Sequence, residues 1–135
     1  ADHDGRDPRG GEPVAVAAVL ANLGNLAAEL GDGAAARRYG EESLALLRQV
    51  GDRSGEVLLL ANLALLALRE GRSEEARRLY SQSLQLRVEI GDRWGTAYSL
   101  LGMAAVAAQA ARTPQQQEQA AQLFGAGEGL RAELG

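Results

Sequence analysis

Few side chains in this sequence stand at spacings that could do chemistry. Asp2, His3 and Asp4 are consecutive oxygen and nitrogen donors that could hold a metal, but they include the chain's one histidine. They sit in ADHDGRDPRGGE, where Gly, Pro and charge offer no ordered partners to orient a ligand set. Residues 1–12 therefore read as a disordered tail or linker. Glu41-Glu42 and Glu74-Glu75 are adjacent carboxylates of the kind that share acid–base work, yet nothing apolar encloses them to raise a pKa. Ser43, Ser81, Ser83 and Ser99 have no histidine to take a proton, since His3 lies in the tail. Arg37-Arg38 and Arg77-Arg78 recur 40 residues apart beside glutamates. That pattern is a solvated helix face laced by pairs one turn apart. Trp94 suits a hydrophobic anchor at a hairpin junction. No catalytic constellation emerges, so the expectation is a chain that is not an enzyme and takes no cofactor and no metal.

Composition narrows the partners. The formal charge of −4 argues against nucleic acid, whose binding draws on Lys and Arg neutralising phosphates. There is no GxxxxGK[ST] phosphate loop and no helix-turn-helix with a basic recognition helix. Apolar runs are broken by Asn, Arg or Gly short of the roughly 18 residues that a membrane span needs, so no membrane partner is expected. No secretory signal is visible, and the absence of cysteine permits a reducing compartment. The expected location is cytoplasmic.

The elements that must position any site are helices. Leu and Ala dominate the apolar content and lose little side-chain freedom in a helix. Gly31 and Gly71, Gly51 and Gly91, Leu20 and Leu60, and Leu60 and Leu100 all stand 40 residues apart. Such a period marks stacked helical hairpins, each unable to bury its apolar face alone. Pro13 suits a first helical turn, and Gly31 and Gly51 suit left-handed stops. Asp32, Ser54 or Asp52, Ser73 and Asp92 suit N-caps. Thr113-Pro114 with Gln116 combines a cap, a first-turn proline and a capping-box glutamine. The predicted fold is all-α, a solenoid of three hairpins at about residues 13–50, 54–90 and 93–134. A four-residue insertion falls at Thr113–Gln117.

Within the first helices, Leu20-x-x-Leu23-Gly24-x-x-Ala27, Leu60-x-x-Leu63-Ala64-x-x-Ala67 and Leu100-x-x-Met103-Ala104-x-x-Ala107 align without gaps. In the second helices, Ala36, Ala76 and Ala120 share a small-residue position, and Tyr80 and Phe124 share an aromatic one, where the first hairpin has Gly40 beside Tyr39. This pattern resembles the tetratricopeptide repeat over residues 14–134, in a long variety with a period above the usual 34 or so residues. GDRWGTAYSLLGMAAVA and AAQLFGAGEGLRAELG further resemble the C-terminal repeat region of large actinobacterial transcriptional regulators. That resemblance implies a right-handed solenoid belonging to a larger signalling protein.

The family resemblance also implies a site, because the first helices of tetratricopeptide hairpins line a concave face. Its register gives Ala18, Ala21, Asn25, Ala28 and Glu29, then Leu58, Ala61, Asn62, Leu65, Leu68 and Arg69, then Tyr98, Leu101, Ala105, Ala108 and Gln109. The implied peptide groove centres on Asn25, Leu58, Asn62, Leu65, Arg69, Tyr98 and Leu101. Asn25 and Asn62 match asparagines that grip a terminal carboxylate in chaperone-binding members, but Ala21, Tyr98 and Gly102 stand where those members carry cations. Chaperone tails are therefore disfavoured. Asn22, Asn25 and Asn62 equally suit a structural role, satisfying helix or interhelix groups. The expected function is a protein-interaction module that takes a peptide or helix in an apolar groove. A small-molecule sensor, and a structural module packing on sister domains or forming a homodimer, are the alternatives.

Overall fold

The computed structural model describes residues 8–135, with side chains from residue 11 onward. Six helices run in order: α1 (Pro8–Glu29), α2 (Gly33–Val50), α3 (Arg53–Arg69), α4 (Ser73–Glu89), α5 (Arg93–Ala110) and α6 (Pro114–Leu134). No strand occurs among the described residues, and the fold is the all-α helical-hairpin class that the periodicity predicts.

The first four turns are built alike. Gly31, Gly51, Gly71 and Gly91 all take positive φ, between 74° and 83°. Around each, the glycine N–H and the next residue's N–H reach back to two orphan carbonyls of the helix just ended; after α1, Asp32 N–H donates to Ala27 at 2.8 Å and Gly31 N–H to Ala28 at 3.1 Å. A side chain at these glycines would force a left-handed residue with a Cβ, which is why the same residue recurs every 20 positions. The residue after the glycine then caps the next helix. Asp32 accepts from Ala35 N–H, Asp52 from Gly55 N–H and Asp92 from Gly95 N–H. In the Gly71 turn the expected cap Ser73 is already helical, and Arg72 occupies the N-cap position without a side-chain bond. The turn before α6 has no such glycine; Ala111 is extended, and Thr113 and Gln116 form the predicted capping box.

Two boundaries differ from the sequence reading. Helix α1 is described from Pro8 onward, which leaves Pro13 inside it instead of in its first turn. The expected insertion near Thr113 goes mostly into the first turn of α6, which carries 21 residues against 17 in α4. Residues 1–7, with the Asp2-His3-Asp4 cluster, lie outside the described residues.

The chain divides into two compact units, one ending at Leu59 and the other beginning at Leu60, so the division falls within α3. In the first unit α1 packs on α2. Ala17, Gly24 and Ala27 face a side where Ala36, Gly40, Ser43, Leu44 and Leu47 are buried. A Cβ on Gly24 would sit 3.3 Å from the Ala36 carbonyl oxygen. The glycine at position 40, where other repeats have an aromatic, thus lets two backbones approach closely instead of loosening the hairpin. The buried Ser43 hydroxyl donates to the Ala17 carbonyl at 2.7 Å.

In the second unit α5 packs on both α4 and α6. Its core includes Leu60, Leu63, Ala64, Leu79, Tyr80, Ala104 and Val106, each large apolar member contributing about 1.5–3 kcal/mol by burial. Two glycines fix the helix spacing. The Tyr80 ring lies where a Gly102 Cβ would go, with Cε1 2.5 Å from that point, and Leu101 does the same to Gly127 at 2.9 Å. Aromatic-on-glycine and leucine-on-glycine contacts therefore set α4 against α5 and α5 against α6 in a fixed register.

Candidate interaction face

One side of α5 is exposed and apolar. Trp94 and Tyr98 stand one turn apart and keep 56% and 51% of their surface. The face continues through Leu101, Ala105 and Ala108 into a cleft of about 580 Å³ between α5 and α6. From α6, Ala120, Ala121 and Phe124 line it, and Gln117 and Glu128 contribute polar groups. Phe124 is 55% exposed, although it holds the repeat position at which Tyr80 is buried against Gly102. The surface that α5 covers on α4 is thus open on α6.

Beside this face lies a cluster of two arginines and two tyrosines. Arg87, on α4, is 6% exposed, and its Nε has no hydrogen-bond partner. Its guanidinium carbon sits 5.5 Å from the centroid of the Tyr98 ring, within cation–π range. A Cβ on Gly95 would meet both the Arg87 guanidinium and the Asp92 carboxylate, so glycine there makes room for the buried arginine. The Tyr80 hydroxyl has a raised pKa, first through burial and then through Tyr98, with Arg69 acting in the opposite direction. Arg69 and Tyr98 are therefore each within electrostatic reach of Tyr80.

The residues expected at the groove fall in both units. Asn25 on α1 and Leu58 on α3 belong to the first, and both are exposed. In the second, Asn62, Arg69 and Tyr98 are exposed and Leu65 and Leu101 are half-buried. Leu101 enters the α5–α6 cleft. Ala61, assigned to the groove by register, is buried instead; its methyl is small enough to be covered by closely packed neighbours. Asn22, Asn25 and Asn62 are all exposed, which removes the argument that they are buried amides satisfied inside the fold. Trp94 stands in the first turn of α5, at the hairpin junction, and is more than half exposed there.

The remaining polar candidates have structural roles. Ser43 is spent on the Ala17 carbonyl, and the buried Ser83 and Ser99 hydroxyls face each other at 3.4 Å. Glu74 has a lowered pKa through its hydrogen bond to Arg77 and that cation's charge, the opposite of what a general acid requires. Arg77 pairs with Glu74 at 2.7 Å on an exposed face, as the charge pattern predicts. No cluster able to hold a metal occurs among the described residues.

Sequence reasoning missed Arg87. The signal was available: Arg87 stands 40 residues after Leu47, a buried core position, so a charge there breaks the apolar period. It also missed the character of α1. Val16, Val19, Leu23, Leu26 and Leu30 form a three-four-three-four stripe, and all five are exposed. Gly11–Glu29 is long and apolar enough, by length and composition only, to cross a membrane. Asn22 and Asn25 interrupt the local run and conceal this in the sequence.

A family model described as tetratricopeptide repeat matches residues 14–87 of the chain. No curated protein matches it.

Proposed function

Because the chain belongs to the tetratricopeptide-repeat family, a non-catalytic repeat module that generally mediates protein–protein interactions, we propose that it takes an apolar peptide or helix along α5 and in the α5–α6 cleft. The observation that carries this reading is the open cleft lined by Leu101, Ala105, Ala108, Ala121 and Phe124, continuous with exposed Tyr98 and Trp94. Apolar and aromatic side chains exposed together mark partner sites, and a helix laid in a groove buries such a strip. The cleft's volume lies within the range of small-molecule sites. With only Gln117 and Glu128 as polar lining groups, it offers a small ligand little to orient it. A place within a larger cytoplasmic regulator, as the sequence resemblance implies, is part of the same proposal.

The test is selection of displayed peptides on the intact chain, followed by titration of a selected peptide against Ala105→Glu. Ala105 is exposed, so the substitution is expected to leave the melting temperature unchanged and to abolish binding. Undiminished binding to that variant overturns the placement of the site.

A second reading, self-association, is favoured by the exposed stripe on α1 together with exposed Phe124. Apolar faces of this kind pair readily between copies. Light scattering across a wide concentration range decides it, and a monomer throughout sinks it.

A further inference from the structure

We infer that the helix seated in the α5–α6 cleft is α1 of a second copy, so that the chain associates first helix to last hairpin. The inference rests on the docking reading above and names its occupant.

The template lies inside the chain, where α5 packs on α4. The side of α5 that meets α4 carries Gly95, Ser99, Gly102 and Val106, spaced three or four residues apart. Gly95 borders the Arg87 guanidinium, Ser99 faces Ser83 at 3.4 Å, and Gly102 lies against the Tyr80 ring. Val106, on the same stripe, is 2% exposed. Two repeats earlier, at 40 residues to the repeat, α1 carries Ala15, Val19, Asn22 and Leu26 in those positions. All four are exposed, Val19 to 58% and Leu26 to 51%. The face that α4 covers on α5 is therefore present on α1 with no helix over it among the described residues.

The other half of the same interface is present in the last hairpin. The cleft residues Leu101, Ala104, Ala120 and Phe124 hold the repeat positions of Ala61, Ala64, Ala76 and Tyr80, all of which are buried. Phe124 stands exposed where Tyr80 is covered by α5. One chain thus displays both members of a contact it already makes internally, and a repeat buries such faces by stacking on a neighbour.

Charge selects α1 over an unrelated apolar helix. Arg87 and Asp92 border the same space beside Gly95. By the repeat spacing Arg131 on α6 holds the position of Arg87, and Glu12 on α1 holds that of Asp92. Both are exposed, so a second copy seated in the cleft brings a carboxylate to Arg131 just as Asp92 lies beside Arg87. Glu128 already engages Arg131 through Nε and Nη2, and a guanidinium has donors for more than one carboxylate. Asn22 replaces Gly102 opposite the aromatic ring, so the contact between copies is looser than the contact within one and responds to concentration. It joins two different faces, and every assembly keeps one cleft and one α1 stripe open, so growth passes beyond a dimer.

The experiment compares the unaltered chain, Leu26→Lys, which spoils the α1 stripe, and Ala105→Glu, which spoils the cleft. Both substitutions fall at exposed positions, and circular dichroism melts matching the unaltered chain are expected, which separates lost association from lost folding. By sedimentation velocity the unaltered chain is expected to grow past a dimer as concentration rises, and each variant alone to stay monomeric over the same range. An equimolar mixture of the two variants is expected to give a complex of twice the monomer mass and nothing larger, because only the intact cleft of Leu26→Lys and the intact α1 of Ala105→Glu can meet. Dimers of Ala105→Glu alone mean an α1–α1 contact, and dimers of Leu26→Lys alone a contact between last hairpins. Either result overturns the inference, as does a mixture that stays monomeric. Arg131→Glu is expected to weaken association about fivefold, the scale of one exposed ion pair, and Glu12→Arg added to it to restore the loss; an equal loss in the double variant overturns the Arg131–Glu12 register. An unaltered chain that is monomeric throughout, while selected peptides still fail to bind Ala105→Glu, overturns the inference and leaves the docking reading intact. Peptides that bind Ala105→Glu undiminished remove the docking reading and its occupant together.

Discussion

Gly102→Ala and Gly125→Ala place the same methyl on the surface of neighbouring helices and should move stability in opposite directions. Both glycines are helical, and replacing a helical glycine by alanine gains roughly 1 kcal/mol when nothing else intervenes. At Gly125 nothing lies within 4 Å of the added Cβ, so that gain should appear nearly whole. At Gly102 the Cβ would lie 2.5, 2.7 and 2.9 Å from three atoms of the Tyr80 ring. That ring is buried and cannot swing into solvent, so overpacking of about 1–3 kcal/mol sets in. The expected net effect is a loss of about 0–2 kcal/mol for Gly102→Ala against a gain of about 1 kcal/mol for Gly125→Ala. Urea denaturation, with unchanged m-values, reads both. Adding Tyr80→Leu to Gly102→Ala removes the ring, and the double variant should lose less than the two single losses combined. If Gly102→Ala stabilises as much as Gly125→Ala, the Tyr80–Gly102 contact does not set the α4–α5 register, and the reasoning about an open equivalent face on α6 falls with it.

Leu63→Ala should cost about 2–5 kcal/mol in chemical denaturation, as truncation of a buried leucine does, and half-buried Leu65 should cost clearly less under the same change. Arg72→Asn should stabilise by roughly 0.5–1 kcal/mol, since it supplies the cap that α4 lacks and gives up only exposed ion pairs. Glu74 should titrate below the ordinary glutamate range by NMR and return toward it in Arg77→Gln. Its pKa is lowered in the folded chain, so the contribution is present above the unfolded pKa and is lost as pH falls through the folded value. Leu26→Lys, at an exposed position of the α1 stripe, should leave the melt within about 0.5 kcal/mol. It should also eliminate any self-association seen by light scattering, and association that persists would place the contact elsewhere.

The parts of the fold that were legible are those set by local chemistry. Glycines 31, 51, 71 and 91 announce four turns because only a residue without a Cβ takes positive φ cheaply. Asp32, Asp52, Asp92 and Thr113 announce caps because their side chains bond within three residues. Leu60 and Leu63 follow from apolar spacing and are buried. What escaped depends on partners distant in sequence. Gly102 looks like a missing cation until Tyr80 is seen against it, and Ala61 looks outward until its neighbours cover it. The start of α1 escaped for a different reason, since a glycine-rich charged stretch carries no apolar period to read.

Arg87 joins the two kinds of evidence. A repeat protein tolerates departures from its period most readily on the surface, where they cost little. At a position where the preceding repeat buries Leu47, an arginine adds a desolvation cost. The surrounding residues accommodate it: Gly95 leaves space for the guanidinium beside the Asp92 carboxylate, and Tyr98 supplies a ring face. A leucine at position 87 would satisfy the core without any of these arrangements. Arg87→Leu offers a direct check of what the arginine contributes. That variant should fold at least as stably as the unaltered chain in urea denaturation, because replacing a buried charge by a hydrophobic residue is often stabilising. A variant clearly less stable than the unaltered chain would show that the Arg87–Tyr98 ring contact and the nearby Asp92 carboxylate outweigh the desolvation of the guanidinium.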